Sequence, residues 1–398
     1  MSLPLAGVRV LDFTRVVSGP YCALMLGDLG AEVIKAEPLE GDDTRRIVTY
    51  EGRRPEDHDY FNSLNRNKKS ITLNLKHPEA RAIALGVARH CDVLLENFTP
   101  GVTSRLGIDY AAVSAVKPDI IYCSITGFGQ TGPYRDRRGL DSAIQAMSGF
   151  MSLIGDPDGP PYSSGLPIAD TCAGMFAAMA IVSSLYERKT TGKGRYIDIS
   201  MLDSMVAVMI SRTAEYLSTG KPTTRMGNEN PMRVPTNAYR CADGRYLYIM
   251  NQDDAMWKRL CKALQLEHVM DDPRYATNRE RVKRRAEVNA IIQERLLERP
   301  ALEWDRILGE AGVACGPVND LAQTFADPQV QARQMLIEVE HPVSGRIKVV
   351  APPYKLSDQP AWPIAAPPTL GQHNEEIICG MLGYARQDLE RLKAEGAI

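Results

Sequence analysis

Through the first 200 residues, apolar runs of strand length alternate with helical stretches, and this alternation constrains the fold more than any other feature. Val8–Phe13 is a β-type run, Gly19-Pro20 opens a helix that reaches about Leu29, and Gly30 stops it before the run Ala31–Lys35. Ser70–Leu75 reads as a strand, Pro78–His90 as a helix with proline in its first turn, and Asp92–Glu96 as another strand. A helical stretch over Tyr110–Val116 precedes the strand Ile120–Ile125. Alternation at this pitch predicts an α/β fold, with a parallel sheet covered by helices on both faces. Ligands of such sheets gather beyond the carboxyl ends of the strands, so a site is expected in the loops after Phe13, Leu75, Glu96 and Ile125.

Beyond this region, Ala173–Lys189 reads as a long apolar helix, Arg195–Ile199 as a strand and Met201 to about Ser218 as a second long helix, both helices being expected in the core. The stretch from Lys221 to Pro235 is poor in helix and strand formers and marks a boundary. A strand at Tyr246–Met250 and helices around Ala255–Leu264 and Arg279–Leu297 predict a smaller α/β domain. The expected division is a large domain over 1–220 and a small one over 221–329. The remaining segment, 330–398, holds a hairpin-like stretch at Ile337–Val349 and a proline-rich one at Pro352–Pro368. It has no core of its own and must pack elsewhere on the molecule or on a partner.

Charge narrows the function. Forty-seven basic residues against 49 acidic ones give a net charge of −2, which offers no electrostatic footprint for nucleic acid or anionic lipid. The most apolar stretch, Thr171–Tyr186, is read as too short and too polar to span a bilayer. No secretory signal is visible in Met1–Gly7, so a cytoplasmic protein is expected. The eight cysteines contain no CxxC pair and the six histidines no HExxH, so buried free thiols are expected and no metal site.

Gly127-Phe128-Gly129-Gln130-Thr131-Gly132 spells GxGxxG after a strand, but Pro133 and the charged run Arg135–Arg138 follow where a glycine-capped helix should begin. It reads as a loop near a site. The basic cluster Arg279–Arg285 reads as a solvated helix face. For Arg137 and Arg138, beside the glycine-rich loop, phosphate binding and plain surface charge both remain open. Asp170 stands at the start of the long apolar helix. One reading is an N-cap. The other is a carboxylate held ionised at neutral pH, able to act as a nucleophile without a partner base.

Several ordered motifs carry a resemblance. They are Gly7–Phe13 with Thr14–Pro20, Gly27–Lys35, Asn65–Ser70, Glu96–Gly101, Gly127–Gln130, Ala314–Val318 and Leu370–His373. Together they resemble the family III CoA-transferases, the group of formyl-CoA transferase and carnitine CoA-transferase. The resemblance implies a Rossmann-like large domain completed by 330–398, and a ring-shaped subunit threaded through its partner in an interlocked homodimer. It implies acyl-CoA and small carboxylic acids as substrates, a coenzyme A thioester as the group donor, and no tightly bound cofactor or metal. Asp170 matches the nucleophile that forms an aspartyl anhydride and then an aspartyl-CoA thioester, with oxyanions held by backbone N–H groups at the helix start.

Other positions carry over individually. Arg15, Val17 and Ser18 match the loop near the CoA thiol, Leu73 to Lys76 the strand end beside the adenine, and Asn97, Phe98 and Arg105 the pantetheine and phosphate region. Arg138 matches a basic residue near the nucleotide phosphates. Val17 stands where formyl-CoA transferases have glutamine, Arg233–Trp257 lacks their tetraglycine loop, and Pro38 follows Glu37 where the family often has a basic residue. Leu140 occupies the position of the racemase histidine, which disfavours the α-methylacyl-CoA racemase branch. The closer likeness is to succinyl-CoA-dependent members acting on dicarboxylates, with carnitine-type and aryl-acid transferases and a non-catalytic CoA-binding protein as alternatives. Arg45, Arg46, Arg212 and Arg233 are the candidate cations for a remote substrate carboxylate.

Overall fold

Six strands, β1 (Arg9–Asp12), β2 (Glu32–Glu37), β3 (Lys68–Thr72), β4 (Val93–Glu96), β5 (Ile121–Thr126) and β6 (Arg195–Ser200), form one sheet in the order β3-β2-β1-β4-β5-β6. Every neighbouring pair is parallel. The connecting helices are α1 (Ser18–Asp28), α2 (Asp59–Leu64), α3 (Pro78–Arg89), α4 (Val102–Leu106), α5 (Tyr110–Val116), α6 (Asp141–Met147), α7 (Ile168–Thr191), α8 (Met201–Val208) and α9 (Ile210–Thr219). Strand order reverses between β1 and β4, so the loops that follow them part and leave a crevice at the carboxyl edge of the sheet.

This computed structural model describes residues 3–47, 58–357 and 363–398. The chain divides into two units, one of Met1–Met151, Ser163–Pro222 and Arg333–Ile398, the other of Ser152–Tyr162 and Thr223–Ala332.

Adjacent residues of a strand serve opposite cores, as the two-residue period of a pleated strand requires. Val10, Val33, Val93 and Ile121 pack with Leu26 of α1 and Ala173, Ala177 and Ile181 of α7. Their neighbours Leu11, Ile34, Leu94 and Tyr122 pack with Ile83 and Val87 of α3 and with Ile377, Leu389, Leu392 and Ile398 from the end of the chain. The terminal segment therefore docks on the sheet of its own chain. It also covers the β3 edge: His373 N–H donates to the Ser70 carbonyl at 2.9 Å, and the Asn374 side chain accepts from Thr72 N–H at 2.9 Å. An edge strand closed in this way offers no template for pairing with another chain.

The two long helices depart from expectation. α7 starts at Ile168 and buries only its Ala169, Ala173, Ala177 and Ile181 side, leaving Met175, Met179 and Tyr186 exposed. It has 24 residues and is long and apolar enough by composition to cross a membrane, with 50% of its most apolar window buried inside the protein. The second helix breaks near Met209 into α8 and α9, and α9 buries nothing, with Ile210 74% and Leu217 80% exposed.

In the second unit, strands Thr236–Arg240, Tyr246–Met250 and Cys315–Pro317 form an antiparallel sheet backed by helices that include Asp254–Ala263, Arg285–Leu296 and Ala301–Glu310. The basic cluster is not wholly solvated. Arg281 is fully buried, donates to the Val234 and Tyr275 carbonyls at 2.8 and 2.9 Å, pairs with Asp254 at 2.7 Å and lies over the Trp257 ring. A guanidinium so paired is a core strut, because each of its three nitrogens has an acceptor within the protein.

Gly174 sets the approach of α7 to α1, since a Cβ there would lie 2.7 Å from the Ser18 carbonyl oxygen. Helix propensity alone favours alanine by roughly 1 kcal/mol, whereas the overlap costs about 1–3 kcal/mol. Gly174→Ala should therefore lower the thermal midpoint; a rise would mean that the two helices separate without cost.

Candidate active site

A buried set of ion pairs anchors the loop that follows β1. Lys35 Nζ lies 3.0 Å from Asp42 and donates to the Thr14 carbonyl at 2.7 Å. Lys68 Nζ lies 3.3 Å from Asp12 and donates to the Pro20 carbonyl and to Asn65 Oδ1, each at 2.9 Å. All four charges are buried. Burial by itself lowers the pKa of both lysines. Paired carboxylates outweigh it at Lys35, whose pKa is raised, but not at Lys68, which is lowered to about 8. The two ammonium groups thus hold the Thr14 and Pro20 carbonyls, which bracket the segment Arg15–Gly19.

Within that segment Val16 has φ +65°, a left-handed conformation that costs a β-branched residue roughly 1–3 kcal/mol. It persists because its neighbours are clamped. Asn97, just after β4, accepts from Arg15 N–H at 2.9 Å and donates to the Arg15 carbonyl at 2.8 Å and to Ser18 Oγ at 3.3 Å, tying the β1 and β4 loops together across the crevice. Phe98 N–H is held by Glu96 at 2.8 Å.

Asp170 is not the N-cap. That position belongs to Pro167, and Asp170 is the third residue of α7. The capping acceptor is Asp141, the first residue of α6, whose Oδ2 accepts from Ala169 N–H at 2.8 Å and Asp170 N–H at 3.1 Å. Gln145 steadies Asp141 by donating to Oδ1 at 2.5 Å and to the Leu166 carbonyl at 3.0 Å, while its own Oε1 accepts from Ser164 N–H at 3.0 Å. The first amides of α7 are therefore occupied and do not serve as free oxyanion donors. Nor is Asp170 held ionised. Burial first, and then the neighbouring Asp141, push its pKa up from 3.8 to about 7, against an opposing influence of the nearby Ser18.

Asp170 opens into a cavity of about 370 Å³ lined by Arg15, Val16, Val17, Ser18, Asn97, Phe98, Arg138 and Asp141, among others. A second cavity, of about 560 Å³, shares Arg15 and Phe98 with the first and is lined by Leu73, Lys76, Pro38 and Leu39. Of the catalytic and CoA-contacting residues singled out from sequence, only Arg105 lies outside both; it is exposed in the last turn of α4. Arg15, Lys76, Arg105 and Arg138 have no ion-pair partner among the described residues. A cavity edged by unpaired cations and floored by a half-buried carboxylate suits a ligand that is anionic at one end and reactive at the other. Gly127 and Gly139 cross at its wall, where a Cβ on either would come within 2.5 Å of the other's Cα.

The chain matches the model of CoA-transferase family III over residues 5–374. It belongs to that family. It is 40% identical to the succinyl-CoA:glutarate CoA-transferase of Mus musculus over 99% of this chain and 90% of that one. It is 37% identical to the succinyl-CoA–D-citramalate CoA-transferase of Chloroflexus aurantiacus over 99% and 98%. A crystal structure of a CAIB/BAIF family protein from Brucella suis superposes with a TM-score of 0.85 at 37% identity, covering 96% of this chain and 100% of that one. As a family III CoA-transferase it is an enzyme of acyl-CoA metabolism whose substrates are CoA thioesters and carboxylic acids.

Asp141 and Gln145 escaped the sequence reading as site residues. The signal available was an acidic residue opening a helix with glutamine four positions on, a common surface pattern. Its meaning appears only when α6 meets the start of α7.

The raised pKa of Asp170 has a definite sign in stability. Between pH about 4 and 7 the folded protein keeps a proton that the unfolded chain has lost, so stability falls as pH rises through this window. Asp170→Asn should match wild type near pH 4 and become more stable above pH 7, by roughly 1–3 kcal/mol after discounting for solvent screening at a half-buried site. Thermal unfolding across this range checks it, and a constant difference at every pH would contradict the assignment.

Proposed function

We propose that this family III member moves CoA from succinyl-CoA to a dicarboxylic acid such as glutarate, with Asp170 as the covalent carrier. The observation that supports this most is the placement of Asp170 at the floor of the cation-edged cavity in a chain 40% identical to a succinyl-CoA:glutarate CoA-transferase.

The ionised Asp170 attacks the thioester carbonyl, the C–S bond breaks, and CoA leaves as thiolate from a mixed anhydride. The thiolate then attacks the aspartyl carbonyl, the anhydride C–O bond breaks, and succinate departs from an aspartyl-CoA thioester. The acceptor carboxylate attacks that thioester, and the released thiolate takes the acceptor acyl group, freeing Asp170. Thioester energy stays in covalent form, so no tightly bound cofactor enters the cycle. With Ala169 and Asp170 N–H held by Asp141, Gly139 and Leu140 supply the backbone donors that face an oxyanion. Their N–H groups are unpaired among the described residues and both residues line the cavity.

Arg15, Phe98, Leu73 and Lys76 would carry the pantetheine and nucleotide, with Arg105 and Arg138 toward the phosphates. For the remote carboxylate of the acyl group the candidates narrow. Arg45 is buried in a bidentate pair with Glu37, both bonds 2.8 Å, and Arg212 pairs with Glu215 on α9. Arg233 belongs to the second unit and donates to the Gln252 carbonyl. Arg46 is exposed, and its partner Asp43, 2.5 Å away, lines the Asp170 cavity. We assign the remote carboxylate to Arg46.

The exposed apolar stripe of Met175, Met179 and Tyr186 on α7, and the uncovered face of α9, support a homodimer in which a second copy covers them. The interlocked ring is our reading of that assembly, and it keeps 330–398 with the large domain.

In transfer assays Asp170→Ala and Asp170→Asn should lose activity with both succinyl-CoA and butyryl-CoA as donors. Arg46→Gln should lower kcat/KM for succinyl-CoA about tenfold or more, leaving butyryl-CoA little changed. Turnover by either Asp170 variant defeats the mechanism, and equal losses on both donors defeat the Arg46 assignment. Light scattering should give twice the chain mass at every dilution, and a monomer at low concentration would refute interlocking.

A further inference from the structure

Arg46, to which the remote carboxylate is assigned, directly follows an arginine that is engaged inside the protein. Arg45 ends a single turn of 3-10 helix, Asp43–Arg45, and is buried. Its guanidinium grips the carboxylate of Glu37, the last residue of β2, in two bonds: Nε donates to Oε2 and a terminal nitrogen to Oε1, both at 2.8 Å. That terminal nitrogen also donates to the Pro368 carbonyl at 3.1 Å, and the guanidinium carbon stands 3.4 Å from the centre of the Phe61 ring.

Glu37 is a junction as well as a partner. Its Oε2 accepts from Asp42 N–H at 3.0 Å and its Oε1 from the Ser70 hydroxyl at 2.6 Å, whose oxygen accepts in turn from Gly371 N–H at 3.0 Å. Burial opposes its ionisation, but the Arg45 hydrogen bonds and the Lys35 charge hold its carboxyl below the usual range. Both ends of the turn are thus tied to one carboxylate, the cap Asp42 through its backbone and Arg45 through its side chain. Between them stands Asp43, which lines the Asp170 cavity, and just after them Arg46, paired with Asp43 at 2.5 Å. The terminal segment closes the arrangement from 323 residues away.

We propose that the Glu37–Arg45 clamp, closed by Pro368 of the terminal segment, is a positioning device: it sets where Arg46 stands and so determines the preference for acyl groups that end in a second carboxylate. This deepens the reading above and rests on it. Arg45 acts through Arg46. A two-bond fork resists rotation as well as translation, which a point charge does not. With the turn fixed at both ends, Arg46 has only its own side-chain torsions to search. Opening the clamp frees the backbone beneath it, and the added cost of ordering falls on the substrate that needs that guanidinium. A buried pair that served stability alone would affect every donor alike.

The test compares kcat/KM for succinyl-CoA and butyryl-CoA as donors in wild type, Arg45→Lys, Arg46→Gln and the double variant. Lysine keeps the charge but cannot form both bonds to Glu37 and reach Pro368 as well. Arg45→Lys should lower the succinyl-to-butyryl ratio of kcat/KM about fivefold. In the Arg46→Gln background it should lower that ratio no further, because the route runs through the missing guanidinium. A ratio that keeps its wild-type value, or that falls by independent factors in the double variant, would overturn the proposal.

The two readings separate in the same data. If Arg46→Gln costs both donors equally, the assignment of the remote carboxylate fails and the clamp proposal fails with it. If Arg46→Gln is selective for succinyl-CoA while Arg45→Lys costs both donors by one factor, the proposal fails alone. Ser70→Ala removes a single link between Glu37 and the terminal segment, and takes the place of Arg45→Lys should that variant not fold. It should lower the ratio in the same direction by about twofold, and an unchanged ratio there would contradict the proposal.

Discussion

Two buried lysines determine where the reactive loop sits. Lys35 and Lys68 arise on adjacent strands, and each joins a carboxylate to a main-chain carbonyl, at Thr14 and at Pro20 respectively. Taking such charges out of water costs several kcal/mol per ion, and deleting one partner of a buried pair typically costs about 3–5 kcal/mol. Apolar residues would fill the same volume at less cost. They would not fix two carbonyls at either end of a loop that contains a strained valine. The arrangement exchanges stability for position, and what it positions are Arg15, Val17 and Ser18 at the mouth of the crevice.

From there the dependence runs in one direction. The loop presents Ser18 at the first turn of α1, Gly174 lets α7 come close to it so that Ser18 and Asp170 line one cavity, and Asp141 closes the start of α7. A carboxylate poised near neutrality suits covalent exchange in both directions. It is basic enough to attack a thioester, yet its conjugate acid is strong enough for the carboxylate to leave from an anhydride. An Asp at an ordinary helix start, with free amides around it, would be a weaker nucleophile.

Alternation of strands and helices made the sheet legible in the sequence, because a doubly covered parallel sheet has few competing explanations for that pattern. The small residues of α7 were legible as a buried face, but its Met175–Tyr186 stripe was not, since periodicity alone cannot tell a core-facing methionine from one awaiting a partner. The Asn65–Ser70 motif was visible as a signature only. Its role emerges when Arg66 reaches Asp28, Lys68 reaches Asp12 and Ser70 reaches Glu37, contacts that span from 33 to 56 residues of sequence. Asp170 was the hardest residue to interpret. Its sequence neighbours imply an N-cap, whereas burial in the folded protein, and then the approach of Asp141, 29 residues earlier, reverse the expected shift in its acidity.

The central claim is that Asp170 carries CoA. Incubating the enzyme with succinyl-CoA in the absence of an acceptor acid, quenching in acid and mapping peptides by mass spectrometry tests it directly. The account predicts that the peptide containing Asp170 gains the mass of CoA less one water, and that glutarate discharges it to glutaryl-CoA. An unmodified Asp170 peptide under conditions of demonstrated turnover, or the adduct on any other residue, would contradict it.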